Sequence, residues 1–281
     1  MKDRKVHANN VDIHVVDFGG KGTPIVCVHG LTANSRCFDS IAASLTDHYH
    51  VFGIDLRGRG DSEKPPYGYD IYTHAKDVHG VLRALSIPSC IFIGHSLGAF
   101  IGLAFSTLFP NSVKQLILLD GGCPLSETIF EKIRPSIDRL DVTYPSFEAY
   151  IQAMRKNPFF HPWTIGHEQY FYADCIHFPD GTVRSKVSKE AVKEEVEALK
   201  NVDITKFYDK IKTPTLLLRA GDCFMDDNAQ MVTDEHVKQL QRKIVGSSYE
   251  LVEEANHYSI LFSKADETAQ FIHRFLGTAH N

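Results

Sequence analysis

The sequence predicts an α/β protein with a doubly wound, mostly parallel sheet, and three observations carry that expectation. Short continuous apolar runs recur along the chain: Ile25–Val28, Val51–Ile54, Cys90–Ile93, Leu116–Leu119 and Thr215–Leu218. Unbroken runs, rather than apolar–polar alternation, suit strands covered on both faces. Stretches of helical length such as Tyr72–Leu85 and Leu97–Phe109 separate them, and strands alternating with helices build a parallel sheet.

The elements follow in order. Lys5–Asn9 and Val11–Asp17 flank Asn9-Asn10, a two-residue hairpin turn, so the chain opens with an antiparallel edge. Gly19-Gly20-Lys21-Gly22 turns into the first central strand. From about Cys123 to Thr213 the alternation stops. This stretch holds 13 of the 30 aromatic residues, clustered at Phe159-Phe160, Trp163 and Tyr170-Phe171-Tyr172. It also contains an amphipathic helix from about Ser188 to Lys200, with Val192, Val196 and Leu199 on one stripe and the pairs Glu190 to Lys193 and Glu197 to Lys200 on a solvated face. An aromatic-rich helical insertion reads as a lid over a pocket or as a small core of its own. Tyr249–Val252 reads as the last strand.

Composition narrows the function classes. The 281 residues carry 30 Lys+Arg against 35 Asp+Glu, a formal charge of −5 that leaves no footprint for nucleic acid or an anionic membrane. No apolar run approaches the ~18 residues of a spanning helix. Met1–Lys5 leads into polar residues rather than a secretory signal, so a cytoplasmic location is expected. Cys27, Cys37, Cys90, Cys123, Cys175 and Cys223 form no Cys-x-x-Cys pair, and there is no His-Glu-x-x-His. The cysteines read as reduced and structural, with no metal and no cofactor expected. Glycine-rich phosphate loops are also missing: neither Gly-x-Gly-x-x-Gly nor Gly-Lys-Ser/Thr occurs.

Ile91-Phe92-Ile93-Gly94-His95-Ser96-Leu97-Gly98 is an apolar strand running into Gly-x-Ser-x-Gly and then a helix. That context suits a nucleophilic serine on a sharp, strained turn at the carboxyl edge of a sheet. The next amide, that of Leu97, lies at a helix N-terminus and can donate to an oxyanion.

With these residues the chain resembles the α/β-hydrolase superfamily over nearly its whole length. Val26-Cys27-Val28-His29-Gly30 is similar to the family's His-Gly turn, which implies Leu31 as the second oxyanion amide. Asp55-Leu56-Arg57-Gly58-Arg59-Gly60-Asp61-Ser62 matches the family's Asp-x-Arg-Gly-x-Gly-x-Ser loop. The local match is to the carboxylesterase, epoxide hydrolase and haloalkane dehalogenase branch. Ser96, where the last two enzymes carry Asp, favours acyl transfer. The resemblance implies an α/β-hydrolase core over 1–122 and 214–281, with a helical cap at 123–213 after the sixth strand.

The resemblance places the base after the last strand, at His257. His29 and His95 adjoin the site by motif and suit lining or scaffold roles, while His273 and His280 read as inert. The acid is open. The usual Gly-x-x-Asp turn after the strand containing Leu216 here reads Gly221-Asp222-Cys223-Phe224, so the acid position is not acidic. Asp120, at the end of Leu116–Leu119, is the first candidate. A buried carboxylate there needs a partner, and a histidine cation would serve. Asp222 is the second candidate, and Asp226 or Asp227 the third.

The expected activity is hydrolysis of a small carboxylic ester with an apolar portion through an acyl-enzyme on Ser96. A lactone, thioester or C–C bond is the alternative within the same fold, and a non-catalytic small-molecule receptor is the alternative outside enzymes. The sequence leaves the natural substrate and the oligomeric state undetermined.

Overall fold

The computed structural model describes residues 1–222 and 230–278. Eight strands form one sheet: β1 (Lys2–Ala8), β2 (Val11–Gly19), β3 (Pro24–Val28), β4 (His50–Ile54), β5 (Cys90–His95), β6 (Val113–Leu119), β9 (Thr215–Ala220) and β10 (Ser248–Val252). Their order is β1-β2-β4-β3-β5-β6-β9-β10. Every pairing from β4 to β10 is parallel, and β1 and β2 are the antiparallel edge. Asn9 and Asn10 turn that hairpin with φ of 48° and 62°, a conformation the short Asn side chain tolerates and a type I′ turn requires.

The unbroken apolar runs are explained by the two layers that cover the sheet. Successive residues of a strand face opposite sides. Val26, Phe92, Leu116 and Leu217 join one apolar cluster with Val78 and Phe105 of the helices Ile71–Ala84 and Leu97–Leu108. Their neighbours Ile25, Ile91, Ile117 and Leu216 join the other, with Ile41 and Ile272 of the helices Asp39–Leu45 and Ala265–Thr278. Fully burying one such aliphatic side chain contributes about 1.5–3 kcal/mol. A polar residue on either face of these strands would therefore cost stability.

Between β6 and β9 lie several helices and a hairpin that the sequence reading does not contain: β7 (Cys175–His177) paired with β8 (Val183–Ser185). Three-residue strands carry too short a pattern to register. The expected helix is present as Lys189–Lys200, capped by Ser188 Oγ accepting from Ala191 N–H at 3.2 Å, with Val192, Val196 and Leu199 buried. Glu195 stands apart from the charge pairs of the solvated face. It is buried, with Oε2 2.5 Å from His74 Nε2 and 3.5 Å from Arg59 Nη2. Its neighbour Glu194 accepts the N–H groups of Gly68 and Tyr69 at 2.8 and 3.0 Å. This helix is thus pinned to the loop after β4. The aromatics Tyr150, Tyr170 and Phe171 join the same cluster as Phe38 and Ile41, so their core is continuous with the layer beneath them.

Cys27, Cys37, Cys90, Cys123 and Cys175 are free and buried. Burial pushes the Cys90 and Cys123 thiols up to about 12, which leaves them protonated and inert at neutral pH. Cys223 lies outside the described residues. Among the described residues no helix is long and apolar enough to cross a membrane.

Candidate active site

Ser96 stands between the end of β5 and the first residue of the helix Leu97–Leu108, with φ 54° and ψ −117°. Such a backbone stores strain in a residue other than glycine, and its surroundings hold it in place. Ser96 N–H donates to Leu119 O at 3.0 Å, which ties the turn to β6. The flanking glycines let the helix approach the strands. A Cβ on Gly98 would lie 2.0 Å from Val28 O, and one on Gly94 would lie 2.2 Å from Gly98 O. Leu97, as the first helical residue, has an amide with no intrahelical acceptor.

His257 sits in the turn after β10. Asn256 Oδ1 accepts the N–H groups of both Tyr258 and Ser259 at 2.9 Å, an Asx turn that presents the imidazole between them. His257 Nδ1 is 2.6 Å from Asp120 Oδ2, and both residues are buried. Asp120 holds φ 42° at the end of β6. Its N–H donates to Leu218 O at 2.7 Å, and its Oδ1 accepts Ala220 N–H at 3.2 Å. Both carboxylate oxygens are therefore engaged.

Of the open acid candidates, the structure brings Asp120 to His257. Asp222 is exposed beyond β9 and donates its main-chain N–H to Ala255 O at 2.8 Å. Asp226 and Asp227 lie outside the described residues.

His95 and His29 adjoin the site in different ways. His95 donates from Nε2 to the main-chain carbonyl of His257 at 2.9 Å, with the two rings 4.5 Å apart. Burial, reinforced by the neighbouring His257, holds His95 well below the ordinary imidazole range. His29 Nε2 accepts Leu56 N–H at 3.0 Å, so its proton is on Nδ1, which donates to Gly30 O at 2.8 Å. Burial pushes His29 down to about 4, against the opposing pull of Asp55. Only the neutral ring satisfies both bonds.

The Asp55 loop is an internal knot. Asp55 accepts from Ser35 N–H at 2.7 Å and Asp61 N–H at 2.9 Å, and pairs with His14 Nδ1 at 2.8 Å. Burial opposes its ionisation, but the hydrogen bond and charge of His14 hold the carboxyl below its ordinary range. His14, Asp55 and Asp61 bring ligand-type atoms within 4.8 Å of one another. Those of Asp55 are already spent on the loop, and Asp61 Oδ2 pairs with Lys186 at 2.8 Å.

A cavity of about 570 Å³ opens over this edge of the sheet. Leu31, Ser96 and His257 line its floor, and Phe159, Phe160 and Phe171 line it from the segment between β6 and β9. Phe160 packs edge-on against Tyr258 at 5.0 Å and Phe171 at 5.2 Å, which links that segment to the His257 turn. Trp163 stacks on Phe171 at 5.8 Å, and Tyr172 is exposed. One cavity residue that the sequence did not single out is Arg139, which lies on the same wall. No motif marks it, because its contacts come from residues distant in the chain.

The fold and this site define an α/β-hydrolase. A model of the alpha/beta hydrolase fold family matches residues 23–264, and the chain belongs to that family. It is 26% identical over 231 residues to 2-(acetamidomethylene)succinate hydrolase of Mesorhizobium japonicum, covering 77% of this chain and 76% of that protein. It is 32% identical over 145 residues to 3-hydroxybutyrate-oligomer hydrolase of Cupriavidus necator, covering 49% of each. The crystal structure of an E-2-(acetamidomethylene)succinate hydrolase superposes with a TM-score of 0.86 at 22% identity, covering 98% of this chain and 99% of that one. An enol-lactonase from Burkholderia xenovorans superposes with a TM-score of 0.75 at 20% identity, covering 98% and 100%. These relatives are hydrolases, and the chain is an enzyme of the α/β-hydrolase type.

Proposed function

We propose that this enzyme is a serine hydrolase that cleaves a small carboxylic ester through an acyl-enzyme. The observation that carries the reading is the buried 2.6 Å contact between His257 Nδ1 and Asp120 Oδ2, on the cavity that Ser96 also lines. Ser96 Oγ attacks the acyl carbonyl while His257 Nε2 takes its proton. The Asp120 carboxylate holds Nδ1–H and stabilises the imidazolium. The amides of Leu31 and Leu97 donate to the oxyanion, a contribution usually of about 2.7–4 kcal/mol per donor. His257 then protonates the leaving alkoxide, and water attacks the acyl-enzyme with His257 again as base. Residues 1–122 and 214–281 act as the core, and 123–213 as a cap whose aromatics shape the pocket.

A second reading keeps this machinery and changes the bond to acyl–nitrogen. It is favoured by the relative from M. japonicum, which is named for an acetamido compound.

A fluorophosphonate probe tests the nucleophile. The wild type is expected to label at one site and Ser96→Ala to remain unlabelled; an unlabelled wild type would support the non-catalytic receptor instead. A panel of p-nitrophenyl esters, lactones, thioesters and N-acyl compounds then ranks the bonds. Turnover confined to N-acyl compounds would replace the ester reading with the second.

A further inference from the structure

The cavity is mainly apolar, yet its wall carries a guanidinium whose nearest carboxylate stands 3.8 Å away. Arg139 follows the helix Arg134–Asp138 and reaches over the cavity with its side chain 17% exposed. Its Nη2 donates to Thr32 O at 3.3 Å and its Nη1 to Tyr150 Oη at 3.1 Å, both neutral acceptors. These bonds hold the guanidinium in place and use two of its five N–H donors.

The nearest carboxylate does not complete the set. Asp174 Oδ2 is 3.8 Å from Arg139 Nη1, beyond hydrogen-bond distance. That oxygen accepts the hydroxyl of Tyr150 at 2.8 Å, and Oδ1 faces Asn34 Nδ2 at 3.4 Å. Burial pushes the Asp174 carboxyl up, against the opposing pull of the Arg139 charge. A positioned guanidinium with spare donors, in an apolar pocket, matches a planar anion that takes two parallel N–H bonds.

We propose that Arg139 anchors a carboxylate of the substrate, so that the preferred substrates are half-esters of short dicarboxylic acids or esters of comparable charge. This deepens the serine hydrolase reading and rests on it for the reaction, but not for the binding. Thr32, which holds the guanidinium, follows Leu31 in the turn assigned to the oxyanion. The anion site and the reacting end of the cavity are thus joined by one short segment. A carboxylate on Arg139 would fix the acyl chain at its far end while the carbonyl meets Ser96. A neutral ester of equal length lacks that second point of attachment.

The test pairs mono-p-nitrophenyl glutarate with p-nitrophenyl valerate. The wild type is expected to favour the glutarate ester by at least about 10-fold in kcat/KM, the scale of one charge-assisted contact. Arg139→Gln should remove that preference through KM and leave the valerate ester within about 3-fold, while Arg139→Lys restores part of it. Equal loss on both esters in a variant that still labels with fluorophosphonate would make Arg139 merely structural and overturn the proposal. If Arg139→Gln does not fold, the wild-type ratio decides alone, and a ratio at or below unity overturns it. Calorimetric titration of the wild type with glutarate separates the two readings. Binding without turnover of either ester would keep the anion site and remove the hydrolase reading. Turnover of valerate with neither glutarate binding nor preference would do the reverse.

Discussion

Asp120 Oδ2 and His257 Nδ1 meet at 2.6 Å across 137 residues of chain, in a pocket that leaves both side chains almost fully buried. An acid that only orients and stabilises an imidazole acts through tautomer and charge. Asp120→Asn should therefore keep the fold and lower kcat by about 10⁴, as an amide in this place favours the wrong tautomer. Asp222→Asn should stay within about 2-fold, because the Asp222 side chain is exposed and only its main-chain N–H is used. Steady-state kinetics on a p-nitrophenyl ester checks both, and near-normal turnover in Asp120→Asn would sink the assignment.

His95 acts on the same turn from the opposite side. Its Nε2–H holds the His257 carbonyl at 2.9 Å, the contact expected of a positioning residue. His95→Ala should lower kcat by about 10-fold with KM little changed, the pattern of a misplaced base. His95→Gln, which can still donate, should recover part of the loss. A change confined to KM would contradict this role.

The close approach at the elbow predicts a severe effect from one added carbon. Gly98→Ala would put Cβ 2.0 Å from Val28 O, a backbone atom of a central strand that cannot move aside. Overpacking of this kind typically costs about 1–3 kcal/mol, and more where backbone must shift. Urea denaturation should show a lower midpoint, and an unchanged midpoint would mean the helix is free to slide.

Stability should fall with acid before the carboxylates titrate. His29 is held at about 4, while an unfolded histidine titrates near 6.5. Its folded pKa is the lower one, so the unfolded state binds the extra proton between those values. Its contribution is intact above pH 6.5 and is lost as pH falls toward 4. At about 1.4 kcal/mol per unit, His29 alone accounts for roughly 2 kcal/mol of lost stability between pH 6.5 and 5. His95, lowered in the same direction, adds to it. Denaturation midpoints at pH 7 and 5 test this. His29→Gln, though destabilised overall, should show a shallower decline.

Much of this molecule is legible in its sequence because the informative patterns are local. The runs at Ile25, Val51, Cys90, Leu116 and Thr215 mark strands that need only neighbouring residues to declare themselves. Gly94-His95-Ser96-Leu97-Gly98 likewise carries its strand, its turn and its helix in one stretch. Glu195 was not legible: its helix periodicity is ordinary, and only the arrival of Arg59 and His74 turns a surface charge into a buried one.

The acid candidates show the same limit at the site itself. Asp120 and Asp222 each follow a strand of the sheet, and the sequence by itself places both at one edge, ranking Asp120 first but leaving Asp222 open. The choice is a matter of distance. β6 and β9 are adjacent and parallel, and the turn after β10 brings His257 down onto Asp120 while Asp222 faces outward. Arg139, Tyr150 and Asp174 are likewise separate until the chain between β6 and β9 packs over the cavity. The sequence determined the class of fold and the strand, turn and helix around Ser96. Only tertiary structure decided which carboxylate meets that histidine and which cation faces the pocket, because side chains far apart in sequence become partners only through strand order and packing.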